Sequence, residues 1–312
     1  MQAGRTRVLI TGATGFIGRN LVKSLNECYE ISALVRHELK PNTNIDFINV
    51  GEFSRKTNLK DAFSNIDIVI HLAAKAHITN TNLDNSPESY KDINIDFTLK
   101  LAKHASACGV KRFIFLSSVG VLGVSNVIPF NGFDKPSPIE NYSISKLHAE
   151  LALKKITAET NLQYVIIRPP LVYGKGAPGN FGTLLKVAKK NLPLPLGAIN
   201  NRRSFVSIDN LVNLIITCID HPHAANQTFL VSDDEDISTS DLLKKLTLAA
   251  GKKPWLLPMP VSFLKFLAAI VGKKAAVDRF SSSLTVDIEH TKKTLNWKPP
   301  ITLDEGIRRC FK

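Results

Sequence analysis

The chain has 312 residues, of which 44% are hydrophobic and 21% charged, a composition typical of a folded globular protein with a sizeable core. This apolar content excludes an intrinsically disordered chain. Lysine and arginine number 40 against 27 acidic residues, a formal net charge of +13. Such a charge favours anionic partners: phosphorylated ligands, nucleic acid or an acidic membrane surface.

The sequence shows no signal for export or for membrane insertion. The residues after Arg5 run directly into an apolar strand, and no apolar run is long enough to span a bilayer. The four cysteines, none in a CxxC pair, are Cys28, Cys108, Cys218 and Cys310. We expect reduced thiols and a cytoplasmic protein.

The first half of the chain alternates short β-branched runs with helical patterns. The predicted strands cover residues 7–10, 31–35, 67–72, 113–116 and 165–167. They are apolar on successive residues, as in strands buried on both faces of a parallel sheet. Helices are predicted between them, over 17–25, over 94–108 and after Asn141. The alternation predicts an α/β fold, a Rossmann-type doubly wound parallel sheet.

The pattern changes after Arg168, where Pro-Pro and Pro-Gly steps punctuate the chain. Short helices are predicted over 184–188 and 242–250, and one more strand near 228–231 returns to the main sheet. We therefore expect a first domain over residues 1–170, rejoined by that strand. The rest, 171–312, is expected to form mainly a smaller, partly interleaved C-terminal α/β domain.

The segment 261–271 is apolar apart from one internal lysine, and two further lysines follow it closely. We expect it to form a buried amphipathic helix of the second domain. The alternative is an interfacial helix that contacts a membrane surface.

A glycine-rich turn, Thr-Gly-Ala-Thr-Gly-Phe-Ile-Gly, occupies residues 11–18 after the first predicted strand. Gly12 permits a tight turn, Gly15 lets the backbone approach a pyrophosphate, and Gly18 lets the helix pack on the strand. The helix N-terminus then offers free N–H groups to the anion. The position between a strand and an amphipathic helix predicts a dinucleotide site, with a purely structural turn as the alternative.

The residue after the second predicted strand is Arg36. An acid at this place binds the ribose 2′-hydroxyl of NAD, whereas an arginine accommodates the 2′-phosphate of NADP. Arg36 therefore favours NADP slightly over NAD. The alternative is a solvated Arg36, with Glu38 or a backbone group on the ribose.

Three side chains have the pattern of a proton-transfer site. Tyr142 and Lys146 are four residues apart, hence on one helix face, and Ser118 ends a predicted strand. A tyrosine is a poor base at its free pKa of about 10. A neighbouring ammonium and a nicotinamide cation favour the phenolate, and a serine hydroxyl can bridge the substrate oxygen. The three residues are candidate catalytic groups, with a surface Tyr-x-x-x-Lys pair as the alternative.

With these motifs the chain resembles the extended short-chain dehydrogenase/reductase superfamily and, within it, the NAD-dependent epimerase/dehydratase family. Further markers are HLAA at 71–74, SSVGVLG at 117–123, YSISK at 142–146, RPPLVYG at 168–174 and LNWKPPITLDEG at 295–306. The resemblance covers essentially the whole chain and is strongest for bacterial enzymes similar to UDP-glucose 4-epimerase.

The resemblance implies that residues 1–170 form an NAD(P)-binding domain and that 171–312 mainly bind the nucleotide sugar, and it also implies site residues. Ser118, Tyr142 and Lys146 match the catalytic positions. The cofactor contacts that it implies are Gly12, Thr14, Gly15, Phe16, Ile17, Gly18, Arg36, Leu72, Ala73, Ala74, Asn94, Ser117, Tyr142, Lys146 and Pro169. For the substrate it implies Ser118 together with Asn180, Arg203 and Arg279, the last three near a diphosphate. A solvated surface position is the alternative for both arginines, and no metal site is expected.

The resemblance also implies a reaction, NAD(P)-dependent oxidoreduction at C4 of a UDP-hexose or UDP-N-acetylhexosamine in surface polysaccharide precursor synthesis. A 4-epimerase comes first, and an NADPH-dependent 4-ketoreductase of a UDP-4-keto-6-deoxy-N-acetylhexosamine is the alternative. Val119 and Gly120 stand where dehydratases of the family carry an Asp-Glu pair, so dehydration is not expected.

Three other possibilities concern partners. A non-catalytic dinucleotide-sensing regulator is a distant alternative, because Tyr142 and Lys146 are both present. Nucleic-acid binding is not expected, because the chain lacks basic motifs rich in aromatic residues. A homodimer is an expectation from the family alone.

Overall fold

The computed structural model describes residues 5–25, 28–40, 45–75, 86–270, 272 and 274–312, the side chains of 275 and 276 excepted. The strands, in chain order, are β1 (Arg7–Thr11), β2 (Glu30–Val35), β3 (Ile45–Asn49), β4 (Ile68–His71), β5 (Arg112–Leu116), β6 (Gln163–Arg168), β7 (Leu171–Tyr173), β8 (Arg203–Ser207), β9 (Gln227–Leu230) and β10 (Asp236–Ile237).

A parallel sheet of seven strands forms the centre of the molecule, in the order β3-β2-β1-β4-β5-β6-β9. Side chains of successive residues enter different apolar layers: Val8 and Ile10 lie on one face of the sheet and Leu9 on the other. Burial on both faces explains the unbroken apolar runs. The doubly wound, Rossmann-type fold is confirmed.

Helices cover both faces of this sheet. The α-helices of the described residues, in chain order, are α1 (Phe16–Leu25), α2 (Pro87–Tyr90), α3 (Thr98–Ala107), α4 (Asn141–Ala158), α5 (Gly179–Lys190), α6 (Ile208–Asp220), α7 (Thr239–Ala249), α8 (Val261–Ile270), α9 (Lys274–Ser281), α10 (Glu289–Leu295) and α11 (Leu303–Arg309). Leu21 of α1 and Leu214 of α6 pack on one face, and Leu101 of α3 and Leu153 of α4 on the other.

A smaller sheet, in the order β10-β8-β7, lies outside the main one. Apolar side chains of α5, α7 and α11 pack together around Tyr173 of β7. The chain leaves the main sheet after β6, forms β7 and β8, and returns as β9, which pairs in parallel with β6. The strand predicted near 228–231 is this returning β9.

Several local features differ from the sequence predictions, among them the short strands β7 and β10, which were not predicted. The helix predicted over 94–108 begins earlier, as a π-helix at Lys91–Phe97 that continues into α3. The strand β3 was not predicted, because its sequence Ile-Asp-Phe-Ile-Asn interrupts the apolar run with polar residues at the sheet edge. The strand β8 was not predicted either, although four of its five residues are buried.

The segment 261–271 was expected to form a buried amphipathic helix, and a helix forms there, but only one face of it is buried. The helix α8 forms over Val261–Ile270, and only Leu264 and Ala268 are buried in it, while Val271 lies outside the described residues. No helix in the described part of the chain is long and apolar enough to cross a membrane.

Candidate active site

The glycine turn connects β1 to α1 in a form that leaves no room for side chains at two positions. Gly12 has φ +76°, and a Cβ there would lie 2.8 Å from the amide nitrogen of Ala73. A Cβ on Gly18 would lie 2.1 Å from the carbonyl oxygen of Gly12. Both contacts are shorter than packing allows, so these positions require glycine. The turn therefore packs tightly against the chain after β4, and its role in binding a dinucleotide stays a prediction.

A cavity of about 740 Å³ opens at the carboxyl ends of β1, β2 and β4. It lies at the switch point of the sheet, where open α/β folds bind dinucleotides. Seven of the predicted cofactor residues line it: Gly12, Thr14, Gly15, Arg36, Leu72, Ala73 and Ala74. Sequence reasoning missed Glu52, Phe53 and Ser54, which also line it. They follow the unpredicted strand β3, so no local signal marked them.

Arg36 follows β2 and lines this cavity. Its Nη1 lies 3.7 Å from Oε2 of Glu52, and both side chains are more than half exposed. The wall at the end of β2 therefore carries one cation and one carboxylate side by side.

A buried chain of hydrogen bonds joins the glycine turn to α3. The Thr98 hydroxyl donates to the Asn94 carbonyl (2.9 Å), so it accepts from Nε2 of His71 (2.8 Å). Burial and a nearby ammonium hold the pKa of His71 well below its ordinary value, so the ring is neutral. Its Nδ1 must then accept from Thr11 Oγ1 (2.6 Å), which itself accepts from the amide of Ala73 (3.2 Å). Every proton in this series of hydrogen bonds therefore has one assignment, and that assignment fixes the tautomer of His71.

The side chain of Asn94 positions two other segments. Its Oδ1 accepts from the amide of Lys75 (2.8 Å), and its Nδ2 donates to the Lys75 carbonyl (3.1 Å) and to Ser145 Oγ (2.9 Å). Ser145 Oγ in turn donates to the carbonyl of Tyr142 (2.7 Å). Both amide protons of Asn94 are used within the protein. We therefore assign its side chain to positioning the chain after β4 against α4.

Lys146 lies in α4 with its ammonium against the end of β5. Its Nζ donates to the carbonyl of Leu116 (2.7 Å) and lies 6.0 Å from the ring centroid of Tyr142. Burial lowers the pKa of Lys146 to about 7, while the carboxylate of Glu150 acts in the opposite direction. Glu150 is itself buried and forms a two-pronged ion pair with Arg168 (3.0 and 2.6 Å). Sequence reasoning did not identify this pair.

Tyr142 lies in the first turn of α4, in edge contact with the ring of Tyr90 at 6.4 Å between centroids. Burial raises the pKa of Tyr142 to about 12, and Tyr90 adds to the rise. The phenol is therefore protonated in the protein alone. A cation bound next to it would lower this pKa and favour the phenolate, so the residues fit the nicotinamide that the motifs predict.

The two serines after β5 have different environments. Ser118 Oγ accepts from the amide of Gly120 (3.1 Å) and so caps a short turn. Ser117 Oγ is buried and has no hydrogen-bond partner among the residues that the structure describes. A buried hydroxyl of this kind is expected to bond to a ligand. A Cβ on Gly120 would lie 2.4 Å from Ser143 Oγ, so an acidic side chain does not fit there without rearrangement.

The remaining predicted cofactor residues support the site from behind. Phe16 and Ile17 pack against the apolar layer under α1. The carbonyl of Pro169 accepts from the amide of Val119 (2.9 Å) and so holds the turn after Ser118.

A second cavity, of about 460 Å³, contains all three residues predicted near a diphosphate, Asn180, Arg203 and Arg279. Arg203 Nη1 donates to the carbonyls of Arg279 (2.8 Å) and Ser282 (3.0 Å). Burial, then the guanidinium of Arg279, lower the pKa of Arg203. Two guanidinium groups on one cavity repel each other, and a bound diphosphate would neutralise both.

Arg279 also forms an ion pair with Glu140, the residue immediately before α4. The pair joins α9 to the helix that carries Tyr142. In the part of the chain that the structure describes, no cluster of histidine, cysteine or acidic residues could hold a metal ion.

This sequence matches a known protein family and is similar to several known proteins. The family model for the NAD dependent epimerase/dehydratase family matches residues 8–232. The chain is 43% identical to a UDP-glucose 4-epimerase of Vibrio cholerae, over 97% of this chain and 93% of that protein. It is 28% identical to an N-acetyl-alpha-D-glucosaminyl-diphospho-ditrans,octacis-undecaprenol 4-epimerase of Escherichia coli O157:H7, over 97% and 94%.

Among solved structures, the UDP-glucuronic acid 4-epimerase of Bacillus cereus in complex with NAD superimposes with a TM-score of 0.79. The two sequences are 21% identical, and the match covers 98% of this chain and 97% of the other. At this identity the likeness shows a common fold.

Proposed function

This chain belongs to the NAD-dependent epimerase/dehydratase family, and from that premise we propose that it is a nucleotide-sugar 4-epimerase. Its substrate class is a UDP-hexose or UDP-N-acetylhexosamine. The observation that carries the proposal is the pairing of Tyr142 with a buried Lys146 at the end of β5. It is supported by 43% identity to a UDP-glucose 4-epimerase over nearly the whole chain.

NAD(P) fits the larger cavity, because Gly12 and Gly15 of the glycine turn line it beside Leu72, Ala73 and Ala74. When bound, NAD(P) would supply the acceptor and then the donor of a hydride at C4 of the sugar. Tyr142 takes the proton of the C4 hydroxyl in the oxidation and returns it in the reduction. The Lys146 ammonium stabilises the phenolate, and Ser118 Oγ hydrogen-bonds the same sugar oxygen. The two steps balance, so the cofactor is unchanged after a full cycle.

In this proposal the second cavity, called the arginine-lined cavity after Arg203 and Arg279, holds the UDP end of the substrate. Arg203 and Arg279 neutralise the diphosphate, and Asn180 hydrogen-bonds it. Between the two hydride transfers the 4-keto sugar turns over while the diphosphate stays bound. The side chains that bind the diphosphate therefore need no movement during the cycle.

Arg36 supports a second candidate, an NADPH-dependent 4-ketoreductase of a UDP-4-keto-6-deoxy-N-acetylhexosamine. Arg36 lies on the cavity wall after β2, where a guanidinium can bind a 2′-phosphate. The nearby Glu52 carboxylate acts against such an anion. The variant Arg36→Ala should weaken NADPH binding more than NADH binding. The variant Glu52→Gln should strengthen NADPH binding relative to NADH binding, because it removes a negative charge beside the 2′-phosphate. Equal effects on both cofactors would remove the support for this candidate.

The deciding experiment is a stoichiometric one. Purified protein is incubated with UDP-glucose or UDP-N-acetylglucosamine and a trace of NAD, and C4 epimers are followed by proton NMR. A 4-epimerase makes far more product than the cofactor present. A ketoreductase makes no epimer, but reduces a UDP-4-keto-6-deoxy-N-acetylhexosamine with one NADPH per product. Protein that does neither contradicts the proposal.

A further inference from the structure

The helix α8 exposes a row of large apolar side chains. The α8 outer face consists of Phe263 (48% exposed), Phe266 (61%), Leu267 (41%) and Ile270 (68%). Exposure of apolar side chains of this size to water is unfavourable, because their burial would contribute favourable free energy. Contiguous exposed apolar surface on a helix indicates a binding surface.

The opposite side of α8 packs against the rest of the protein. Leu264 and Ala268 pack with Ile199 and Val277 in a small apolar cluster, and Lys265 bonds Asp278 of α9 at 2.8 Å. With 3.6 residues per turn, the α8 outer face points away from this cluster. The helix is thus apolar on two sides, and the molecule covers one of them. A helix that is apolar nearly all round is normally covered on every side.

The charge of the surrounding segment identifies what covers the second side. Between Asp241 and Asp278 the sequence contains no acidic residue and seven lysines, three of which form ion pairs with Asp241, Asp278 and Asp304. Lys252, Lys253 and Lys274 are exposed, whereas Lys273 lies outside the described residues. Trp255, in the same segment, is 58% exposed, and tryptophan is enriched at the interface between lipid and water.

We propose that the α8 outer face docks on an anionic lipid bilayer. The four apolar side chains enter the boundary between headgroups and acyl chains, and the lysines contact the lipid phosphates. A second copy of this chain fits less well. A two-fold interface would bring this surface against itself, and its excess of lysines would repel the same excess on the partner.

Docking in this way determines where the candidate active site lies. Leu196 and Phe280 pack against the cluster beneath α8, and both also line the arginine-lined cavity. Arg279 of α9 lines the same cavity. The cavity that we assign to the sugar diphosphate therefore lies close to the bilayer surface. This placement of the cavity rests on the proposed function, whereas vesicle binding itself does not depend on the proposed reaction.

The test is co-sedimentation of the purified full chain with vesicles of phosphatidylcholine, with and without phosphatidylglycerol. We expect binding only to the anionic vesicles, and weaker binding at high salt. The variant Phe263→Ser/Phe266→Ser/Ile270→Ser should lower the partition coefficient by about tenfold or more, because each buried apolar side chain contributes to insertion.

A matched control removes exposed apolar groups elsewhere. Val127 and Ile128 are 101% and 80% exposed, and Val127→Ser/Ile128→Ser should bind vesicles as the wild type does. Turnover of a soluble UDP-sugar, if the proposed function holds, should stay unchanged in both variants. Failure of the wild type to bind anionic vesicles, or equal losses in the two variants, overturns the proposal. A fall in oligomer mass caused only by the α8 substitutions would instead identify a second copy as the partner, and would also overturn it.

Discussion

The α4 region and the second cavity differ in how their charged groups are satisfied. On the buried side of α4, charged side chains bond to the protein itself, as Lys146 does to Leu116 and Arg168 to Glu150. At the second cavity, Arg279 is 57% exposed and faces another guanidinium, besides its ion pair with Glu140. In our proposal folding alone organises the first region, whereas an anionic ligand completes the second. Substitutions in the first should therefore change chemistry and stability, and substitutions in the second should change affinity.

The largest effect is expected at Tyr142. The variant Tyr142→Phe keeps the ring and removes the proton-transferring hydroxyl, so kcat should fall by about 10²–10⁴-fold. Retention of NAD(P), measured by native mass spectrometry, should be unchanged. Tyr90→Phe is the control: it keeps most of the activity and shifts the ascending, acidic limb of the pH profile to lower pH, because Tyr90 raises the pKa of Tyr142. Unchanged turnover in Tyr142→Phe would contradict the assignment of the base.

The buried ion pair should dominate stability in the first region. Arg168 and Glu150 are 4% and 1% exposed, so Arg168→Met leaves a buried carboxylate unpaired and should lower the free energy of unfolding by about 3–5 kcal/mol. Arg202→Met, which breaks the exposed pair with Asp236, should lower it by about 0–1 kcal/mol. Urea unfolding measures both. Similar losses in the two variants would argue against the contrast between the regions.

The buried ammonium should give the wild type a pH-dependent stability. The pKa of Lys146 is lowered from 10.5 to about 7, so between these values the unfolded chain binds more protons than the folded one. The free energy of unfolding should therefore rise with pH above about pH 7, by roughly 1.4 kcal/mol per unit of pKa shift over the whole window. Above pH 10, the raised pKa of Tyr142 acts in the opposite direction.

The variant Lys146→Met removes this titration and should flatten the rise in stability between about pH 7 and 10. Lys155→Met, at an exposed position further along α4, should keep it. Denaturant unfolding at a series of pH values is the measurement. An equal slope in the wild type and in Lys146→Met would show that the ammonium is not desolvated.

In the second region the expected effect is smaller and confined to substrate affinity. The variant Arg203→Ala should raise KM for the UDP-sugar by about tenfold or more, since a charge-assisted hydrogen bond contributes roughly 1.5–3 kcal/mol. The Kd of the cofactor should stay the same. Arg202→Ala, a neighbour whose side chain is 75% exposed, is the matched control and should leave both constants near their wild-type values. Equal rises in KM and in cofactor Kd for Arg203→Ala would reject a diphosphate role.

The parts predicted from the sequence are those with a local cause. Strands buried on both faces, such as β1 and β5, show unbroken apolar runs, and the glycine turn is required by backbone contacts within a few residues of Gly12, together with the close approach of Ala73. The edge strand β3 has no such run, and Glu52 therefore went unnoticed. The pairing of Arg168 with Glu150 joins a strand end to a helix, and neither residue carries a mark of it in its own neighbourhood.

By itself, the sequence determined the doubly wound sheet, the glycine turn and the shared helix face of Tyr142 and Lys146, because apolar periodicity and short-range spacing are written along the chain. Only the tertiary structure decided how deeply Lys146 is buried, which tautomer His71 adopts and which side of α8 stays exposed. Those properties depend on the groups that other elements bring alongside. Desolvation and hydrogen-bond direction belong to the assembled surroundings of a residue and have no counterpart in its sequence neighbours.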